Sequence, residues 1–391
     1  MSYIIDAINL NAVFYFLKTD SSMKYFITAL WVLFTFPASA QEFPSSPGTL
    51  KVTAIAKGLE HPWGMEFLPD GRMLVTERPG RLRIISAEGK MSQPLSGVPK
   101  VFAEGQGGLL DVALDPDFSQ NQLIYFSFAE EEGGKAGTAV AKAILKESSL
   151  ENVQVIFRQQ PKVEGPNHWG SRLTFGRDGT LYVTLGERFN YSEKAQTLDN
   201  HMGKVVRIKT DGSVPADNPF VSRKDALPEI WSYGHRNMQG AALNPESGEL
   251  WTAEHGPRGG DEINIDQAGK NYGWPEASYG SHYSMLPIPD DHAKRGYTEP
   301  AFYWNPSVSP SGMLFYTGEK FAAWKGDLFV GALSGTALIR LDIENGKIVK
   351  EERLLQNLEE RIRDVRQGPD RWIYLITDSD DGKILRVDME K

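Results

Sequence analysis

The stretch PDGRMLVTERPGRLRII, residues 69–85, decides the fold. A Pro-Asp-Gly turn leads into a short strand pattern, a Pro-Gly turn reverses it, and the alternating run RLRII returns alongside. Weaker copies recur as QNQLIYFSF from Gln120, GRDGTLYVTLGE from Gly176, ESGELWTAEH from Glu246, KGDLFVGALSGTALIRLDI from Lys325 and PDRWIYLITDSDDGKILRVD from Pro369. These six units are spaced irregularly, by roughly 45 to 80 residues, which leaves room for loops of unequal length. Short strands without convincing amphipathic helices bury their faces by stacking, and the arrangement that suits them is a six-bladed β-propeller with four-stranded antiparallel blades. A β-sandwich or solenoid carries similar punctuation, but a sandwich of this length would be unusually large. The expectation is an all-β protein with one propeller domain over residues 41–391, whose loops converge at one end of a central channel.

Composition bounds the chemistry. Of 391 residues, 40% are hydrophobic and 24% charged, ample for a packed core. The formal net charge of -9 is scattered, which argues against the basic stripe a nucleic-acid surface needs. Cysteine is absent, which excludes disulfides, thiolate nucleophiles, c-type haem attachment and cysteine-bound zinc or iron–sulfur clusters. Any metal must be held by oxygen and nitrogen.

From Met23 the chain reads MKYFITALWVLFTFPASA: a lysine, an apolar run over residues 25–36, then Ala38 and Ala40. This is a secretory signal with cleavage expected after Ala40, and translation starting at Met23 fits it better than Met1. The apolar run is shorter than the roughly 20 residues a membrane span requires. A periplasmic or secreted protein without stable membrane insertion is expected, monomeric or homodimeric.

Polar, glycine-rich segments sit directly beside the strand patterns: GQGGLLDVAL around Gln106, PNHWGSRLTFG around His168, SYGHRNMQGAALNP around Arg236, AEHGPRGGDEINID around Gly256, and ERIRDVRQGPD with Arg361 and Arg363. His168, in a polar loop, could act as a general base near neutral pH or merely hydrogen-bond a neighbouring carbonyl. Arg236 beside Asn237 could clamp a carboxylate or quinone oxygen, or form an inter-blade salt bridge. Arg361 and Arg363, two apart, share one face of an extended segment and could grip an anion or remain solvated. The Gly256–Pro257 turn, with Glu262 and Tyr272 beyond it, offers hard oxygen donors suited to calcium without an EF-hand spacing, or is a solvated hairpin tip.

Taken together, GQGGLL, NHWGSRL, GHRNMQG, EHGPRGGDEIN, NYGWP and ERIRDV give a sequence that resembles the soluble quinoprotein glucose dehydrogenase and aldose sugar dehydrogenase family over essentially the whole chain after the signal. The resemblance implies a dehydrogenase that oxidises aldose sugars with pyrroloquinoline quinone (PQQ) and calcium and passes electrons to an acceptor. It implies that His168 is the base and contacts the cofactor, that Glu187 orients His168 where the family has an aspartate, and that Arg236 lies over the quinone with Asn237 beside it. Gln106 then contacts PQQ, and Arg361 and Arg363 bind its carboxylates. The carbonyls of Gly256 and Pro257 ligate a catalytic calcium, while Glu262 and the Tyr272 carbonyl hold a second, structural one. Ser334 stands where the glucose enzymes place a lysine against PQQ, so one cofactor cation is missing unless another residue compensates. Two other readings share the fold: a calcium-dependent lactonase or esterase, which needs no pair of arginines for an anion, and a propeller that only binds glycans or proteins.

Overall fold

The computed structural model describes residues 41–46 and 48–389. The signal sequence falls on residues 1–40, outside the described residues. None of the described helices is long and apolar enough to cross a membrane.

Every recurring unit supplies the second strand of a blade: Met73–Glu77, Leu123–Glu132, Leu181–Leu185, Leu250–Glu254, Leu328–Ala332 and Ile373–Thr377. Five of the six are buried along their entire length. A strand covered on both faces reads as a nearly continuous apolar run, which explains sequences such as LYVTL and IYLIT. The strand preceding each lies innermost: Pro62–Phe67, Leu109–Leu114, Leu173–Phe175, Met238–Leu243, Pro310–Phe315 and Ile362–Gln367. Consecutive inner strands touch around a closed circuit, the last against the first, so the sheets form a six-bladed propeller.

Blades two to five are four-stranded antiparallel sheets. Blade one has three regular strands, and its outer edge continues only as an isolated bridge between Ile85 and Met91. In blade six, Gly48–Leu59 pairs antiparallel with Gly382–Met389, in register from Leu50 opposite Met389 to Leu59 opposite Gly382, and Gln41–Ser45 adds a fifth strand beyond it. The N-terminal segment therefore closes the ring by completing the last blade, and a closed ring removes the long free edges of its sheets.

Apolar cores lie between neighbouring blades. Leu74 and Leu82 of blade one pack with Leu109, Phe126 and Phe128 of blade two, and Trp251 and Ile263 of blade four with Met313, Val330 and Ile339 of blade five. Hydroxyls on the second strands join these interfaces to the next inner strand. Ser127 Oγ donates to Ser171 O at 2.7 Å, Thr184 Oγ1 to Met238 O at 3.0 Å, and Thr76 Oγ1 to Leu110 O. Among the inner strands, at the waist of the ring, two carboxylates and two guanidiniums interlock: Arg172 Nη1 lies 2.7 Å from Asp111 Oδ1 and 3.3 Å from Asp364 Oδ1, and Arg366 Nη1 lies 2.7 Å from Asp364 Oδ1. This buried waist leaves the starts of the inner strands and the loops before them at one end, where the polar segments gather.

Candidate active site

At that end a cavity of about 230 Å³ is lined by Trp63, Arg78, Gln106, Gln239, His255, Ser309, Leu333, Arg361, Arg363 and Asp378, contributed by five blades or the loops leading into them. His168 and Arg236 adjoin it through direct bonds. Gln106 Oε1 accepts the His168 backbone N–H at 2.8 Å, and Arg236 Nη1 donates to the His255 carbonyl at 3.1 Å. His168, Arg236, Gly256 and Arg361 thus share one mouth.

His168 is 5% exposed and adopts φ 53°. A non-glycine residue in the left-handed region signals a constrained loop. Its Nδ1 lies 2.8 Å from Glu187 Oε2, an oxygen that also accepts the Phe189 backbone N–H. Glu187 follows the strand Leu181–Leu185 across Gly186, and a Cβ on Gly186 would lie 2.3 Å from the His168 carbonyl oxygen. Only glycine permits that approach. From there the Glu187 carboxylate favours Nδ1 as the protonated nitrogen of a neutral ring and leaves Nε2 as the basic one. Burial pushes the His168 pKa below the usual imidazole value, Glu187 opposes this, and the Arg236 and Arg188 charges add to the depression. The imidazole is therefore neutral at neutral pH.

Arg236 is buried and does not form a carboxylate salt bridge through its side chain among the described residues. Its Nη1 donates to Gly256 O at 2.7 Å, its Nη2 to Tyr283 Oη at 2.9 Å, and its Nε has no partner. The Arg236 backbone N–H donates to Glu254 Oε2 at 2.7 Å, while Glu254 Oε1 lies 3.1 Å from His235 Nδ1. Glu254 thereby fixes the loop that carries Arg236. Asn237 Oδ1 accepts Gly170 N–H at 3.1 Å, and its Nδ2 is buried without a partner.

Arg361 and Arg363 do act on one face, and both hold the same carboxylate. Their Nη2 atoms lie 3.1 and 2.8 Å from Asp378 Oδ2. Arg363 Nη1 also donates to Gln239 Oε1 at 2.6 Å, and its buried Nε is unpartnered. Asp378 is held well below the usual carboxylate range: burial opposes its ionisation, but Arg363, His61 and Arg361 outweigh it. His255, whose pKa burial depresses to about 3 with help from the Arg236 charge, contributes no positive charge. The lining therefore sets three guanidiniums against one carboxylate.

Such a cavity suits an anion. Its guanidiniums outnumber its carboxylates, and a planar polycarboxylate such as PQQ would meet them with directed, charge-assisted bonds. For calcium the residues present offer less. Gly256 O already accepts from Arg236, and carbonyls of Gly256 and Pro257 fall far short of the roughly six to eight oxygens calcium takes, so an anion in the cavity must complete the shell. Glu262 and Tyr272 fit a cation better. With Arg236, Glu254, Gly256, Gly260 and Ser278 they line a void of about 10 Å³, the room of one water-sized ion, although the Arg236 guanidinium in its wall opposes a cation there. There burial, and then the charge of Glu254, push the Glu262 pKa far up. A bound cation would remove both penalties.

Several residues of the site escaped the sequence reading. Glu254 and Gln239 lie inside the segments it singled out, Asp378 directly follows the strand Ile373–Thr377 in TDSDDG, and Arg188 follows Glu187 directly. Arg188 stacks 3.5 Å from the Trp169 ring centre and donates to Ala136 O at 2.6 Å and Asn167 O at 3.0 Å, bracing the His168 loop. Ser334 is exposed, and its Oγ lies 2.8 Å from Ser309 Oγ, in a groove of about 720 Å³ that shares Ser309 with the cavity.

Residues 59–386 match the Glucose / Sorbosone dehydrogenase family, and the chain belongs to that family. It is 47% identical to the aldose sugar dehydrogenase YliI of Escherichia coli K12, over 88% of this chain and 94% of that one. Among solved structures it is similar to a glucose dehydrogenase (TM-score 0.83, 53% identity, covering 87% of this chain and 99% of the other). It is also similar to the PQQ-bound aldose sugar dehydrogenase of Streptomyces coelicolor (TM-score 0.71, 27% identity, 90% and 99% covered). The chain is an enzyme of the sugar dehydrogenase type, in a family with PQQ-binding members.

Proposed function

We propose that this enzyme oxidises aldose sugars at the anomeric carbon to aldonolactones, using PQQ and calcium, and that it works in the periplasm or outside the cell. The observation that carries the reading is the His168–Glu187 contact of 2.8 Å beside a cavity with three guanidiniums and one carboxylate. The cofactor, when bound, supplies a two-electron hydride acceptor, which a calcium ion polarises as a Lewis acid.

The chain's own residues do the rest. Nε2 of neutral His168 takes the proton of the anomeric hydroxyl as the C1 hydride departs, leaving a C1=O bond. Glu187 stabilises the imidazolium that results and keeps its ring in place. Arg236 offers its unpartnered Nε–H to negative charge developing beside the sugar, which is electrostatic stabilisation by a donor already in position. Arg361, Arg363, Gln106 and Asn237 hold the cofactor, and Gly256, Pro257, Glu262 and Tyr272 serve the metal ions.

The test is reconstitution of the purified protein with PQQ and calcium, followed by dye reduction with glucose, xylose, arabinose and maltose. Turnover dependent on both additions is expected. Failure with every aldose would overturn the proposal, and lactone hydrolysis without PQQ would replace it with a hydrolase.

A further inference from the structure

The strand Met73–Glu77 runs into TERPGRLR, where three arginines follow Glu77 within six residues and two of them take its carboxylate. Glu77, fully buried, accepts from Arg81 Nε at 2.8 Å and Arg83 Nε at 2.5 Å. Arg78, the first residue of the turn after that strand, lines the cavity instead. Among the described residues its side chain makes no salt bridge or hydrogen bond, and its Nε is buried without a partner.

Its backbone is pinned. Arg78 N donates to His61 O at 3.1 Å, and Arg78 O accepts from Leu109 N at 3.1 Å. The preceding Gly108 has φ 138°, and a Cβ there would lie 2.1 Å from Arg78 O, so only glycine lets blade two close against this turn. The other two cavity arginines share Asp378, whereas Arg78 has no carboxylate of its own. The positive charge is felt nearby. Burial lowers the Arg363 pKa, Asp378 opposes it, and Arg78 and Arg361 deepen the depression.

We propose that Arg78 is a third anchor for a carboxylate of the cofactor, doing from blade one what the lysine replaced by Ser334 does in the glucose enzymes. This rests on the PQQ reading given above. Fixed by its backbone and unpaired in the free protein, Arg78 is set to form a charge-assisted bond only when the anion arrives, and the ligand it fits is a polycarboxylate rather than a neutral sugar.

The experiment titrates apoprotein with PQQ and follows quenching of tryptophan fluorescence, with no sugar present. Arg78→Gln is expected to raise the Kd by about tenfold or more and to reduce its dependence on salt. Ser334→Lys placed in the Arg78→Gln protein is expected to restore at least part of the affinity. A Kd for Arg78→Gln within about twofold of wild type, with Arg361→Gln weakened in parallel, overturns the role of Arg78 and leaves the PQQ assignment standing. No binding by the wild type overturns both. Should Arg78→Gln fail to fold, Arg78→Met decides: it keeps an unbranched stem without the charge, so an unchanged Kd sinks the proposal.

Discussion

The waist of the channel and its mouth use the same residues to opposite ends. At the waist, Asp111 and Asp364 answer Arg172 and Arg366, and Asp111 Oδ2 accepts Leu173 N–H at 2.8 Å while Asp364 Oδ2 accepts Met65 N–H at 3.1 Å. Arg172 Nη2 lacks a partner, but its guanidinium lies over Trp63, 4.3 Å from the ring centre. At the mouth, Asp378 stands alone against Arg78, Arg361 and Arg363. At the waist each guanidinium is answered by carboxylates, Glu66 adding a 3.9 Å contact to Arg366 Nε, whereas at the mouth the guanidiniums outnumber them. An arginine in this channel is therefore read by its carboxylates before its position.

The sharpest way to break that contrast is to unbalance the waist. Asp111→Ala leaves Arg172 only its longer, 3.3 Å contact with Asp364 and strands the Leu173 N–H inside the channel, and losing one partner of a buried pair costs about 3 to 5 kcal/mol. Urea denaturation of the apoprotein should show a loss of that size. A loss below about 1 kcal/mol, the scale of a surface ion pair, would mean that the waist does not bear the ring's stability.

At the mouth the largest effect should fall on chemistry. His168→Ala is expected to lower kcat by about 10²-fold or more while PQQ affinity stays close to that of the wild type. Steady-state kinetics beside a fluorescence titration check both halves, and near-normal turnover would remove His168 from the mechanism.

The carboxylate behind His168 gives a finer test through pH. The reactive form is the neutral ring, and burial lowers its pKa, so kcat/KM should rise with pH along a limb centred below the ordinary imidazole value and then level off. Glu187 raises that pKa. Glu187→Gln should therefore move the acid limb to still lower pH while reducing the plateau about tenfold through misorientation. A purely structural role would lower the plateau without moving the limb.

Much of this was legible in the sequence. Turn residues such as Asp70-Gly71 and Asp178-Gly179, followed by strands buried on both faces, mark the second strand of each blade. His168, Arg236 and Arg361 were legible because their loops lead directly into inner strands, and inner strands start at one end of the ring. What was not legible depends on distance in sequence. The pairing of Gly48–Leu59 with Gly382–Met389 joins segments from opposite ends of the chain, so nothing local announces it. Asp378 reads as one more acid in TDSDDG until the fold sets it against Arg361 and Arg363. Arg78 reads as part of a charged hairpin turn until Glu77 is seen to be taken by Arg81 and Arg83.

The smallest expected effect separates the two regions most cleanly. Arg363 is as buried as the waist arginines, so burial alone predicts that removing it should cost as much as breaking the Asp111 pair. Partner counting predicts otherwise. Without Arg363, Asp378 keeps Arg361 and the His61 Nδ1 contact at 3.0 Å, and the repulsion that Arg363 feels from Arg78 and Arg361 disappears. Arg363→Gln should thus change the urea stability of the apoprotein by about 1 kcal/mol or less, yet weaken PQQ binding in the same preparation. A stability loss matching that of Asp111→Ala would show that the mouth, like the waist, is built to hold the ring together, and the excess charge there would no longer imply a ligand.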